Sequence, residues 1–181
     1  MPLSPSDMYA DLLRRDLCAF IHRSFLELNP PPYHPGWQTE VIAAKLEDVR
    51  RGRCKRLIVN MPPRHLKSHA ISVVFPAWVL GHEPTKQILS VTYAQDLSDN
   101  LARKSRNLMM SPLYEALFDT RISPGREAVA DFETTSGGNR FATSMAGVLN
   151  RPRRGYHHPR RSAQGRRRPV GQPTPGDERA L

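Results

Sequence analysis

Residues 57–68 have the sequence LIVNMPPRHLKS, and this stretch decides the fold class. The residues from Lys55 to Asn60 form a short apolar run with β-branched side chains, which predicts a buried strand. A helical pattern follows from Lys67 to Leu80. A strand, a loop and a helix that begins with Lys and Ser form the arrangement of a phosphate-binding loop, in which backbone N–H groups and the helix N-terminus hold the phosphates.

The loop departs from the standard pattern Gly-x-x-x-x-Gly-Lys-Ser/Thr. Met61 stands at the position of the first glycine and Leu66 at the position of the second. In such a loop Lys67 would reach the β- and γ-phosphates, and Ser68 would ligate Mg²⁺. Taken alone, the motif leaves two interpretations open: a functional phosphate loop, or a strand-to-helix connection that exposes a Lys-Ser pair.

The remaining patterns alternate between strands and helices, which is typical of an α/β protein with a parallel sheet. They predict helices over residues 6–29, 38–51 and 96–110, a strand over 87–93 and a short helical turn over 112–118. Residues 111–126 are otherwise expected to be loop, and residues 131–148 to be two short strands around Gly137 and Gly138. Asp7 or Ser6 is expected to cap the first helix, and Gly52 to end the second.

The stretch LIVNMPPRHLKS resembles the variant Walker A loop of the large terminase subunits of tailed phages, which usually has the sequence Asn-hydrophobic-Pro-Pro-Arg-His-Gly-Lys-Ser. Only Leu66 departs from that pattern. Other segments that resemble the family occur in order along the chain, and the resemblance covers residues 5–149. These segments are HPGWQ at 34–38, FPAW at 75–78, YAQDL at 93–97, RNL at 106–108 and SGG at 136–138.

This resemblance implies an incomplete P-loop NTPase core of the RecA-like kind, with ATP and Mg²⁺ as its ligands. It gives Lys67 the phosphate role and Ser68 the Mg²⁺ role, through the nucleotide. Arg64 is the extra basic residue that terminases place inside the loop, where it contacts phosphate. His65 fits the family pattern, which assigns it no role.

Two other positions of the nucleotide site are less settled. Gln38 is either an adenine contact, by analogy with upstream glutamine motifs, or a solvated residue at the start of a helix. Leu66 has a Cβ and a bulky side chain at a position that often needs a positive φ and close approach to the ligand. We therefore expect Leu66 to weaken phosphate binding.

Members of the resembled family hydrolyse ATP to move double-stranded DNA into a procapsid, with the portal protein and the small terminase subunit as partners, and they carry a C-terminal nuclease domain. The resemblance therefore implies the cytoplasm of a bacterial host cell. The sequence has no apolar run of 18 residues and no secretory signal, so no membrane segment is expected. Cys18 and Cys54 lack metal-type spacing and are expected to be reduced thiols.

The last part of the chain differs in composition from the rest. Residues 151–181 hold nine arginines and two acids, so they carry +7 of the net charge of +10 and leave +3 for the first 150 residues. Residues 150–181 also contain five prolines and almost no large apolar side chain, which predicts disorder. The expected organisation is a helical segment with a Pro-rich connector (1–34), a partial ATPase domain (35–149) and an Arg/Pro-rich tail (150–181).

A Walker B strand, which ends in acids that hold Mg²⁺ and orient the attacking water, is missing from the place where the family has it. Instead the chain continues as NRPRRGYHHPRRSAQGRRR. When the codons of this stretch are translated one nucleotide later, they can spell TGRGADTIILDDPLKADDA, which has the form of a terminase Walker B strand with its flanks. The hypothesis is a frameshift near Leu149 and Asn150, and the nucleotide sequence tests it.

Three functions remain open from the sequence. The chain is a terminase-type ATPase fragment that does not turn over ATP alone, a non-catalytic remnant of a prophage, or a nucleic-acid-binding protein that acts through its basic tail. The arginines of the tail would bind phosphates by charge. Tyr156 is the only aromatic residue there, so base stacking on single strands is poorly supported.

Overall fold

The computed structural model of the chain describes residues 4–29, 36–63 and 65–149. These residues form an α/β structure with a four-stranded mixed sheet. They belong to one compact unit, Met1–Arg151, whereas a second unit, Pro152–Leu181, lies outside the described residues. The predicted tail 150–181 and residues 30–35 of the predicted Pro-rich connector lie outside the described residues as well.

The N-terminal part contains α1 (Pro5–Arg15), α2 (Leu17–Leu28) and α3 (Trp37–Arg50). The prediction of one helix over 6–29 was wrong, because Asp16 has an extended backbone and interrupts it. Its N–H donates to the Leu12 carbonyl and ends α1, while its carboxylate accepts from the Ala19 N–H at 2.9 Å and caps α2. Gly52, with φ +73°, follows α3 as predicted.

The first helix has a different cap from the one predicted. Ser4 is the N-cap residue, and its hydroxyl accepts from the Asp7 N–H at 3.2 Å. The Asp7 carboxylate accepts in return from the Ser4 N–H, which forms a capping box. Pro5 favours this start, because proline at the first helical position has no N–H that would need a partner.

The sheet consists of β1 (Gln87–Thr92), β2 (Ile122–Ala128), β3 (Asp131–Thr134) and β4 (Asn139–Ser144), in the order β1-β4-β3-β2. β1 and β4 are parallel, and the other two pairs are antiparallel. The sheet is therefore mixed, and the prediction of a parallel sheet holds for one pair. The prediction of a loop over 111–126 was wrong where β2 lies, because its Pro124 and Gly125 are typical of a loop. Its register with β3 shifts between Ile122 and Glu127.

The two predicted strands around Gly137 and Gly138 are confirmed as the β3–β4 hairpin. Gly137 has φ +85°, a conformation that side chains rarely adopt. Gly138 lies so close to the backbone of 84–86 that a Cβ would come within 2.3 Å of the Pro84 carbonyl oxygen. Both glycines are therefore required by the turn and by its contact with the chain before β1.

The predicted buried strand over residues 55–60 is not part of the sheet. Alternate side chains of this segment, Leu57, Val59 and Met61, pack against the core, while Ile58 is 94% exposed. Among the described residues, residues 55–60 make no backbone–backbone hydrogen bond. The alternation of core-facing and exposed side chains is typical of an extended strand, but the described part of the chain supplies no neighbouring strand to pair with it.

A largely buried helix lies at the centre of the described core. It begins as a π-helical segment, His69–Val74, and continues as α4 (Phe75–His82). Residues 70–80 are all apolar except Ser72 and are buried or half-buried, which is typical of a helix with little solvent face. Its core contacts include α5 (Gln95–Met109), α6 (Pro112–Leu117) and the N-terminal helices, and α7 (Met145–Leu149) follows β4. Among the described residues, no helix is long and apolar enough to span a membrane.

Four carbonyls of this central helix accept hydrogen bonds from side chains of other elements. Pro76 has no N–H to donate to the Ser72 carbonyl four residues earlier, and Arg140 Nη2 donates to that carbonyl at 3.0 Å. The hydroxyls of Ser105, Tyr114 and Thr120 donate to the carbonyls of residues 73, 77 and 80 at 2.9, 2.9 and 3.0 Å. These bonds tie α5, α6 and the sheet to one helix.

We predict that Tyr114→Phe lowers the free energy of unfolding by about 1 kcal/mol, because it removes a buried hydrogen bond to the Ala77 carbonyl and keeps the ring. The measurement is urea unfolding of the full chain, followed by circular dichroism. Tyr9→Phe, on an exposed ring of α1, is the matched control and should change stability little. Equal stabilities for the two variants would contradict the proposed role of the Tyr114 hydroxyl.

A candidate phosphate-binding loop

The loop before the central helix turns through a left-handed residue. Leu66 has φ +58°, and it is the only non-glycine residue with a positive φ in the described ranges. A left-handed conformation costs an ordinary L-residue about 1–2 kcal/mol. The sequence predicted this strain from the leucine at a position where the phosphate-loop pattern has glycine, and the backbone has the left-handed conformation that glycine adopts readily.

The helix begins directly after that turn. The Ala70 N–H donates to the Leu66 carbonyl at 2.8 Å, and Ser68 has helical dihedral angles. Lys67 and Ser68 therefore lie at the N-terminal end of the central helix. The free backbone N–H groups and the positive end of the helix dipole favour an anion at such a position.

The Lys67 side chain reaches across the loop to the Met61 carbonyl. Its Nζ donates to the Met61 carbonyl at 2.8 Å, and the side chain is half-buried. The bond joins the helix side of the loop to the residue that stands at the position of the first glycine. A phosphate that enters the loop would have to replace this carbonyl as the acceptor for Lys67.

His65 is held by the loop backbone. Its Nδ1 lies 2.8 Å from the Pro63 carbonyl oxygen, and because a carbonyl only accepts, Nδ1 is the protonated nitrogen in this contact. The ring is exposed to solvent. His65 therefore stabilises the turn between Pro63 and Leu66.

The four described residues of the predicted motif line one cavity of about 590 Å³. The structure adds residues that sequence reasoning missed: His69, Tyr93 and, from α5, Lys104. No Asp or Glu belongs to its described lining, so Lys67 and Lys104 give the cavity a positive charge. Nothing in the sequence marked Lys104, since only the packing of α5 against the central helix brings it to the loop.

His69 is neutral at pH 7. Burial, and then the charge of Lys104, lower its pKa to about 4. Its ring lies edge-on against Phe25, with ring centroids 5.3 Å apart. The two lysines therefore carry the positive charge of the cavity, and His69 belongs to its packed wall.

The sequence predicted two further site residues, Arg64 and Gln38. Arg64 lies outside the described residues, and Gln38 does not line this cavity. Gln38 lines a different cavity of about 280 Å³, together with Trp37, Val41 and Asn60. The two interpretations of Gln38 therefore stay open.

The described residues contain no group of three or more His, Cys, Asp or Glu side chains that could hold a metal ion. Ser68, exposed at the start of the helix, offers one hydroxyl oxygen for a cation that arrives with a nucleotide. The cysteines Cys18 and Cys54 are free thiols, and burial together with the charge of Asp16 raises the pKa of Cys18 to about 11.

Comparison of the chain with models of protein families, with curated proteins and with solved structures finds no match.

We predict that glycine at position 66 makes the chain more stable than alanine there, by about 1 kcal/mol, because alanine keeps the Cβ that the positive φ disfavours. At position 65, where φ is not positive, the glycine variant should be no more stable than the alanine variant. The measurement is urea unfolding of the four variants Leu66→Gly, Leu66→Ala, His65→Gly and His65→Ala. A Leu66→Ala chain at least as stable as Leu66→Gly would show that the left-handed turn does not form in solution.

Proposed function

We propose that residues 61–68 form the phosphate-binding loop of a terminase-type, RecA-like P-loop NTPase fragment, which binds the triphosphate of ATP and does not hydrolyse it. The observation that supports the proposal best is the left-handed Leu66 followed by Lys67 and Ser68 at the start of a buried helix. An ordinary strand-to-helix connection has no need of a strained turn at this position. Strain of this kind tends to persist where the surroundings hold it for function.

The chemistry of the cavity supports an anion as the ligand. Two lysines contribute positive charge, and its described lining has no acid. Lys67 would donate to a phosphate oxygen in place of the Met61 carbonyl, and the N–H groups at the helix start would donate to others. Ser68 would supply its hydroxyl to the Mg²⁺ that accompanies the nucleotide.

Hydrolysis of ATP needs acidic side chains in addition to the phosphate-binding loop. A phosphoryl-transfer site of this class uses a carboxylate to hold Mg²⁺ and an acid to orient the attacking water. The described lining of the cavity contains neither. We infer that the ancestral activity was packaging of double-stranded DNA, with a portal protein and a small terminase subunit as partners, and that this chain retains the nucleotide loop.

We predict that Lys67→Ala weakens binding of a fluorescent ATP analogue at least about tenfold, because a charged hydrogen bond to phosphate contributes about 1.5–3 kcal/mol. The measurement is fluorescence titration of the full chain with trinitrophenyl-ATP and Mg²⁺, with inorganic triphosphate as the competitor. Lys55→Ala is the control, since Lys55 is exposed and outside the cavity lining. Equal affinities for both variants would show that the loop does not bind the phosphates. Lys67-dependent release of phosphate would show that the chain does hydrolyse ATP.

We predict a smaller loss for Lys104→Met, about twofold to fivefold, because an exposed cation contributes about 1 kcal/mol or less to an ionic contact. Arg103→Met removes the same charge from the neighbouring position of α5, outside the cavity lining, and should change the affinity less than about twofold. The titration is the same, repeated at low and high salt. A loss of equal size for Arg103→Met would mean that Lys104 acts only through the overall charge of the chain.

The alternative of nucleic-acid binding through the tail stays a prediction, because residues 150–181 lie outside the described part of the chain.

A further inference from the structure

A second cavity, of about 330 Å³, runs along β1. Its lining includes five consecutive residues of that strand, 88–92, together with Phe75 and Pro76 of the central helix. Successive side chains of a strand point to opposite faces of its sheet, so a cavity that contacts five in a row follows the strand itself. β1 is the terminal strand in the order β1-β4-β3-β2, and no described strand pairs with its outer edge.

The sequence of β1 lacks the residues that usually protect an edge strand. An unpaired edge presents backbone N–H and C=O groups that can pair with another extended chain. Proteins commonly block such edges with proline, lysine or other charged residues, whereas β1 has the sequence QILSVT. Leu89 is 53% and Val91 42% exposed, so apolar surface remains open along the strand.

A buried positive charge that has no acidic partner in the described part of the chain lines the same cavity. The Arg140 side chain is fully buried, and Nη2 donates to the Ser72 carbonyl. Arg140 Nε and Nη1, and the buried hydroxyl of Ser98, have no hydrogen-bond partner among the described residues. Burial lowers the pKa of Arg140 to about 10, so the guanidinium stays charged at neutral pH. An unpaired buried charge is costly, and a carboxylate brought near it would be favoured.

We infer that the outer edge of β1 is a docking site for an extended peptide strand, apolar on the side that enters the cavity and bearing an acidic side chain attracted by Arg140. Backbone pairing with the edge would supply affinity, and the cavity with its positive charge would supply selectivity. Five residues of β1 span about 16 Å, so a strand of five or six residues would match its length. This surface is separate from the proposed nucleotide loop and does not depend on it.

The probe is the synthetic peptide Thr-Ile-Ile-Leu-Asp-Asp-Pro-Leu-Lys, labelled with fluorescein, which the shifted translation of the codons after Leu149 can spell. It joins an apolar, β-branched run to two carboxylates, as the docking site requires. Fluorescence anisotropy with the full chain should show saturable binding. The same peptide with both acids replaced by asparagine should bind at least about fivefold more weakly, since a charge-assisted contact is lost.

Two substitutions in the chain locate the contact. Leu89→Glu places a negative charge on the edge and should weaken binding of the acidic peptide, whereas Met110→Glu alters an equally exposed apolar residue elsewhere and should not. Arg140→Met, if it keeps a cooperative melt, should remove the difference between the acidic and the asparagine peptides. Because the peptide pair is compared on the unmodified chain, the test does not depend on how Arg140→Met folds.

Three results would overturn the inference. Absence of saturable binding would exclude the docking site. Equal binding of the acidic and the asparagine peptides would exclude the role of the buried charge. Equal loss in Leu89→Glu and Met110→Glu would place the peptide away from β1.

Discussion

The hydrogen bonds that side chains donate to the carbonyls of the buried helix 69–82 hold the rest of the described structure in place. Because this helix is mostly apolar and largely buried, it can be covered by α-helices and a sheet at once. Arg140 and the Ser105 hydroxyl donate to carbonyls of its π-helical half, and the hydroxyls of Tyr114 and Thr120 donate to carbonyls of α4. Position and orientation of the surrounding elements follow from those bonds.

The candidate site inherits its geometry from the same helix. Since the helix is fixed by packing, its first turn is fixed as well, and the chain has to enter it through the left-handed Leu66. The packing of α5 on the helix also brings Lys104 to the cavity that Lys67 lines. A solvent-facing helix could shift to relieve the strain at Leu66, but a buried one cannot do so without breaking its core contacts.

Local patterns in the sequence predicted most of the helices and strands correctly. They failed at residues whose structure depends on contacts with distant segments of the chain. The helix after Lys67, β1, α5 and the hairpin at Gly137 were predicted correctly, because periodicity and turn residues specify them locally. Residues 55–60 have the composition of a strand, but a strand exists only with a neighbour, and composition does not reveal whether one is available. Asp16 looked like an ordinary helical residue, and Lys104 had no motif, since its role depends on tertiary packing.

The unpaired segment 55–60 gives the two sides of the loop different local stabilities. Outward movement of residues 55–60 would break the core contacts of Leu57 and Val59 but no backbone–backbone hydrogen bond among the described residues, whereas the helix side has both kinds of anchor. Local opening, of the kind that amide hydrogen exchange detects, should therefore need less free energy before Met61 than after Lys67. The Lys67 bond to the Met61 carbonyl joins these two sides, so a ligand that displaces it would also uncouple the less stable side of the loop from the helix.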